Sequence, residues 1–230
     1  MKSWWFRRLI LSALVVAFAA TSLTTEAKDK KIPAPEKDAT LAATSGAEPI
    51  VLAGGCFWGI QVVFQHVKGV ISAISGYSGG EGNSARYEAV STGKTGHAES
   101  VKVVFDPSQI TIGQILQIFF SAHDPTELNR QGPDEGSQYR SVVFYATEDQ
   151  LRITQPYVEQ LDRSGVFKHK IVTQVAPLRA FFPAEAYHQN YATQNPNDTY
   201  IWTNDAPKVM KLKKDFPLLY RESPNLVAIK

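Results

Sequence analysis

A chain of 230 residues with 43% hydrophobic and 20% charged residues has the make-up of a globular protein, which excludes the disordered and fibrous classes. The formal net charge of +2 arises from nearly balanced acids and bases, without a basic run interleaved with aromatics, and this argues against nucleic acid as a partner. One cysteine and five histidines without paired ligand spacing cannot build a structural zinc site, so no metal is expected.

In chain order, Lys2, Arg7 and Arg8 precede an apolar stretch at 9–20 followed by small residues, the pattern of a signal peptide over 1–27. The stretch falls short of the roughly 20 residues that span a bilayer as a helix, so export to a bacterial periplasm or the medium is expected rather than a permanent anchor. Residues 28–48, rich in Lys, Pro, Ala and Thr, show neither helical nor strand periodicity and read as a flexible linker. One folded domain is expected over 49–219, followed by a short tail at 220–230.

Within the domain, the apolar run 49–53 predicts a buried strand that stops at Gly54 and Gly55, and the spacing of Phe57, Ile60, Val63, Phe64 and Val67 predicts a helix over 57–67. Strands follow at 70–77 and 100–105, then a helix at 111–122, a long polar loop, a strand at 139–146, a helix at 147–164 containing Pro156, and a strand at 171–175. The order β-α-β-β-α-β-α-β predicts an α+β protein with helices on one face of a small mixed sheet. The C-terminal portion reads as irregular.

Cys56 falls at the first strand-to-helix turn. A solitary cysteine in an exported protein is an inert buried thiol, an intermolecular bridge or a reactive group. Placement near the unpaired N–H groups of a helix start favours thiolate and lowers the pKa, which points to the reactive group. Phe57 and Trp58 cannot both face one way on a helix, so at least one is free to line a pocket suited to a small apolar group such as a methyl.

Glu99 opens an otherwise apolar strand, where desolvation would raise its pKa and make it a general acid; the alternative is a solvated strand-end glutamate. His97 is either the base of a cysteine hydrolase or a hydrogen-bonded structural residue. In the loop 129–141, Asp134 and Tyr139 are groups of the kind that hold a ligand oxygen, unless the loop is only a surface connection.

Taken together, GGCFWG (54–59), GYSGG (76–80), TGHAE (95–99), DPTELNRQGPDEGSQYRS (124–141) and AEAYHQNY (184–191) resemble the A-type peptide methionine sulfoxide reductases over essentially the whole domain. The resemblance implies that Cys56 attacks the sulfoxide sulfur and Glu99 protonates its oxygen, with Tyr87 and Tyr139 adding hydrogen bonds to that oxygen. It implies that Phe57 and Trp58 hold the substrate methyl and that Asp134 orders the site. It further implies the S epimer at sulfur and a two-layer α/β sandwich related to the ferredoxin-like arrangement. Well-known members carry further cysteines that resolve the sulfenic acid, and this sequence has none. A one-cysteine variant without a bound cofactor is therefore expected, its Cys56 sulfenic acid reduced by an external thiol, either a thioredoxin-like protein or a small thiol. Two other classes stay open on the residues alone: a cysteine hydrolase pairing Cys56 with His97 or His188, and a noncatalytic module that captures oxidised methionine segments.

Overall fold

The structure, a computed structural model, describes residues 31–228, so the expected signal peptide at 1–27 lies outside the described residues. The elements in chain order are β1 (Glu48–Gly54), α1 (Phe57–Gln65), β2 (Val70–Ser78), α2 (Tyr87–Val90), β3 (Ala98–Phe105) and α3 (Ile112–Ala122). They continue with the two-residue strands β4 (Arg130–Gln131) and β5 (Asp134–Glu135), β6 (Ser141–Tyr145), α4 (Glu148–Ser164), β7 (Gln174–Pro177), β8 (Phe182–Pro183), α5 (Tyr191–Gln194) and α6 (Ala206–Asp215). Six strands form one sheet in the order β7-β6-β1-β3-β2-β8, while β4 and β5 make a separate small hairpin. All pairings in the main sheet are antiparallel except β6 with β7, and that one parallel pair makes the sheet mixed.

Period-two alternation decides the faces of β1. Ile50 and Leu52 join a large core with Ile60 and Phe64 of α1, Ile115 and Phe119 of α3, Leu161 of α4 and Leu212 of α6. Val51 and Ala53 point the other way, into a smaller cluster with Ala98, Val142 and Phe144 covered by Leu178 and Phe181. The four longer helices thus share one face, and burying each such aliphatic or aromatic side chain contributes about 1.5–3 kcal/mol.

The predicted elements are present with shifted ends. Helix α1 stops at Gln65 because His66 and Val67 donate to Val63 and Phe64, tightening the last turn, and Val67 then pairs with Tyr220. Strand β3 begins at Ala98, which places Glu99 inside the sheet opposite Tyr77. Tyr139, expected to open the strand 139–146, instead ends a 3₁₀ turn at Ser137–Tyr139, and β6 starts at Ser141. The last strand lies further along than 171–175, because Ile171 is buried in the core with its N–H held by the Asp162 carboxylate. The C-terminal portion, expected to be irregular, is so only over residues 216–228, since a π-helical turn at Ile201–Asp205 runs into α6.

The expected flexible linker at 28–48 also needs correction over its described part. Carbonyls of Ile32, Pro33 and Ala34 accept from Gln117 Nε2, Tyr157 Oη and Gln160 Nε2, and Ile32 is buried in the main core. Further along, Asp38 accepts from Thr111 Oγ1 and from the Gly113 N–H at the start of α3. These partners lie on α4 and on α3 or its N-cap, 73 to 126 residues away in sequence, and so left no local periodicity to read. Among the described residues no helix is long and apolar enough to cross a membrane.

Candidate functional site

Cys56 is the N-cap of α1, and the turn that delivers it depends on Gly55. Gly55 has φ of 91°, and a Cβ there would collide with the side chain of Gln131 from the polar loop. The first two backbone N–H groups of the helix, which have no intrahelical acceptor, are then used at the site. Phe57 N donates to Glu99 Oε2 at 3.1 Å, and Trp58 N donates to the Cys56 sulfur. One helix start thereby holds a carboxyl from the middle of the sheet beside the only cysteine.

The electrostatics of this pair follow from burial. Glu99 is 3% exposed, and desolvation drives its pKa up to about 8 against the lowering effect of the Phe57 N–H. At neutral pH it is a protonated acid. Cys56 is 8% exposed, and its pKa is raised as well, first by desolvation and then by the charges of Glu99 and Asp205. The expected depression of the cysteine pKa is therefore corrected: the Trp58 N–H and Lys208 do act in that direction, but burial outweighs them. The resting sulfur is a thiol.

Tyr87, Asp134, Tyr139, Phe57 and Trp58 gather around this pair. Tyr87 on α2 and Tyr139 in the 3₁₀ turn both have raised pKa values, through burial first and then through the charge of Glu99, with Cys56 and Asp134 adding to it. Both are neutral hydroxyl donors over the whole working range. Asp134 at β5 accepts a hydrogen bond from Tyr200 Oη. Phe57 is 1% exposed and packed between the rings of Tyr77 and His188, with centroids 5.9 and 5.0 Å away, so it forms the wall behind the site. Trp58 is half-buried, stacked 3.9 Å from Tyr191 and edge-on to Tyr200 at 6.1 Å.

His97 does not serve Cys56. Its Nδ1 accepts from the Gly80 N–H and its Nε2 lies 3.0 Å from the Glu81 carbonyl, which is the structural alternative considered for it. His188 is buried, with its pKa lowered first by desolvation, and its Nδ1 accepts from Trp58 Nε1 at 3.3 Å. Among the described residues no histidine hydrogen-bonds Cys56. Nor is any group of three or more His, Cys, Asp or Glu side chains among them placed to hold a metal ion.

Several site residues were missed. Glu185 accepts from Tyr77 Oη and from the Tyr87 N–H, both at 2.9 Å, and so fixes α2 against β2. Arg140 donates to the carbonyls of Gly96, His97 and Ser137, tying the loop that carries Tyr139 to the start of the strand that carries Glu99. Tyr200, Asp205 and Lys208 approach from the C-terminal region. The quoted segments 124–141 and 184–191 contain Arg140 and Glu185, so those two were within reach of the sequence; the other three sit in no motif.

Comparison with known proteins places the chain in a family. The family described as peptide methionine sulfoxide reductase matches residues 48–218. The chain is similar to peptide methionine sulfoxide reductase MsrA 2 of Mesorhizobium japonicum, 54% identical over 186 residues, covering 80% of this chain and 95% of the relative. It is also similar to MsrA 2 of Synechocystis, 44% identical over 87% of this chain and 95% of the relative. Among solved structures it resembles reduced Mxr1 of Saccharomyces cerevisiae, with a TM-score of 0.61 and 32% identity over 70% of this chain and 91% of the other. Methionine sulfoxide reductase A of Corynebacterium diphtheriae gives a TM-score of 0.58 and 34% identity, over 67% and 77%.

Proposed function

The chain belongs to the peptide methionine sulfoxide reductase family and reduces methionine sulfoxide to methionine, and from that premise we propose that Cys56 is its nucleophile, Glu99 its acid and the S epimer its substrate. The observation that carries this reading is the buried Glu99 carboxyl, kept protonated up to about 8 and hydrogen-bonded at the helix start that bears Cys56. A sulfoxide is a poor electrophile because its oxygen leaves badly. Proton delivery from Glu99 as the Cys56 sulfur attacks lowers that barrier, an effect of about 10²–10⁴-fold for a positioned acid.

As the sulfur–sulfur bond forms, the thiol proton passes to the Glu99 carboxylate and replaces the one given to the oxygen, and Tyr87 and Tyr139 donate to that oxygen; the bond from the methionine sulfur to oxygen and then the sulfur–sulfur bond break as the oxygen is transferred to Cys56. Over the half-reaction one oxygen passes to Cys56, which becomes the sulfenic acid, while the methionine sulfur gains two electrons. Two external thiol groups then supply two electrons and two protons, releasing water, restoring the Cys56 thiol and forming a disulfide between themselves. Support for an external reductant is that Cys56 is the one cysteine in the sequence and is free. The methyl group of the substrate rests on Trp58 in front of the Phe57 wall.

The strand order β6-β1-β3-β2 with α1 and α3 as crossovers supports a ferredoxin-like reading of the core. Lys2, Arg7 and Arg8 ahead of the apolar run at 9–20 support export, with exported oxidised proteins as substrates. The test uses a peptide with resolved sulfoxide epimers and dithiothreitol. Reduction of the S form alone, lost in Cys56→Ser, is the expected result. Equal turnover of both epimers, or turnover surviving Cys56→Ser, would overturn the proposal.

A further inference from the structure

Asp205 and Lys208 form an ion pair at the base of the site, Nζ to Oδ1 at 3.0 Å, with the carboxylate side chain fully buried and the lysine side chain 17% exposed. The pair rests directly on α1 at Gly59, where a Cβ would collide with both Asp205 Oδ1 and Lys208 Nζ. Gly59 is three residues beyond Cys56, on the same side of the helix. The second carboxylate oxygen, Oδ2, is buried and has no hydrogen-bond partner among the described residues. An ionised group left half-satisfied in the interior is costly, and an apolar pair would fill the same space at less expense.

We propose that this ion pair tunes the reactivity of the Cys56 sulfur, Asp205 holding it as the neutral thiol and Lys208 drawing it toward the thiolate. Both are positioning residues rather than catalytic ones, and the proposal rests on Cys56 being the nucleophile. The groups facing the sulfur are Glu99 from β3, Tyr87 from α2, Tyr139 from the 3₁₀ turn, Tyr200, Asp205 and Lys208 from the C-terminal region, and the Trp58 N–H from α1 itself. Asp134 and Asp198 act in turn on Asp205, and Lys208 also acts on Asp134 and His123. Burial raises the pKa of Asp205 while its ion pair with Lys208 lowers it, and in its ionised form Asp205 opposes thiolate formation where Glu99, uncharged below about 8, does not. The arrangement suits a chain with a single cysteine: a resting thiol resists peroxide, whereas a permanent thiolate without a resolving partner climbs to the irreversible sulfinic acid.

The experiment follows alkylation of Cys56 by iodoacetamide against pH, read by mass on the Cys56 peptide, in the full chain without sulfoxide. In Asp205→Asn the alkylation midpoint should move down and the rate at pH 7 rise about threefold or more; in Lys208→Met the midpoint should move up and the rate fall by a similar factor. Lys208→Arg, which keeps the charge, should stay near wild type. Asp205→Asn should also lose its thiol faster to hydrogen peroxide. Shifts of the same sign in folded Asp205→Asn and Lys208→Met, or no shift in either, would overturn the proposal. If Asp205→Asn does not fold, the Lys208 variants decide, and identical profiles for Met and Arg overturn it. Sulfoxide reduction by Cys56→Ser separately tests the nucleophile, so the two failures are distinguishable.

Discussion

At Glu99 two demands conflict, and both are measurable. The carboxyl must enter the fold protonated at any pH between its ordinary 4.5 and the folded value of about 8. Uptake of that proton costs stability, up to about 3 kcal/mol at pH 7 from 1.36 kcal/mol per unit. The folded pKa lies above the unfolded one, so the contribution is neutral below about 4.5, increasingly unfavourable as pH rises, and level above about 8. Glu99→Gln removes the titration while its amide oxygen still accepts from Phe57 N. At pH 7 that variant should melt several degrees higher than wild type, and the gap should close as pH falls toward 4.5. Its kcat/KM should fall by about 10²–10⁴-fold. In wild type, kcat/KM should decline as pH rises through about 8, when the acid loses its proton. A Glu99→Gln variant that melts lower than wild type throughout, or a wild-type rate unchanged at pH 9, would show that this carboxyl is not the buried acid.

At the scale of elements, the instructive case is the segment ahead of β1. Helix α3 starts with a capping box in which Thr111 and Gln114 satisfy each other's backbone, and Asp38 adds a carboxylate to the same helix end. Ser45 and Gly46 donate to Asp106, which also accepts from Ser108 and Gln109 and has its pKa lowered by those bonds, the one from Ser45 foremost. Asp38→Ala should cost about 1 kcal/mol in urea denaturation, the usual worth of a cap. A chain that begins at residue 48 should lose more than that, because Ile32 leaves the core and the carbonyls bound by Tyr157 and Gln160 are withdrawn, while KM for a sulfoxide peptide stays unchanged. Equal stability with and without residues 31–47 would return the segment to the role of a free tether. Elements with internal periodicity, α1, α3 and the alternating β3, were legible because their apolar residues repeat at 3.6 or 2. Helix α6 was not, since its only buried residue is Leu212 and it carries Lys208, Lys211, Lys213 and Lys214. Its place is set by contacts with α1 and α3 rather than by its own pattern.

Taken as a whole molecule, the site draws on four separated stretches, and its legibility divides along that line. Cys56, Glu99, Asp134 and Tyr139 stood out because each lies in a segment of distinctive composition and Tyr87 entered through the resemblance alone, whereas Tyr200, Asp205 and Lys208 gain meaning only when the C-terminal region folds over α1. That region also bears on how the proposed cycle would end. Asn225 is held by Gln65 and Ile71, and Val227 exchanges hydrogen bonds with Asn190, so the last described residues are fastened along α1 and β2. Cys56 is the single cysteine, and its sulfenic acid therefore has no thiol in the same molecule to form a disulfide with. Mixed without reductant, the enzyme should convert one equivalent of sulfoxide per chain and then stop, with one oxygen added at Cys56 in the mass spectrum. In the presence of dithiothreitol or a reduced thioredoxin-like protein, turnover should resume at a rate that rises with reductant concentration, because attack by the external thiol completes the cycle. A burst of two equivalents per chain would require an electron source that this reading does not contain, and a covalent dimer through Cys56 as the end product, with half an equivalent converted per chain, would show that the Cys56 thiol of a second chain resolves the sulfenic acid.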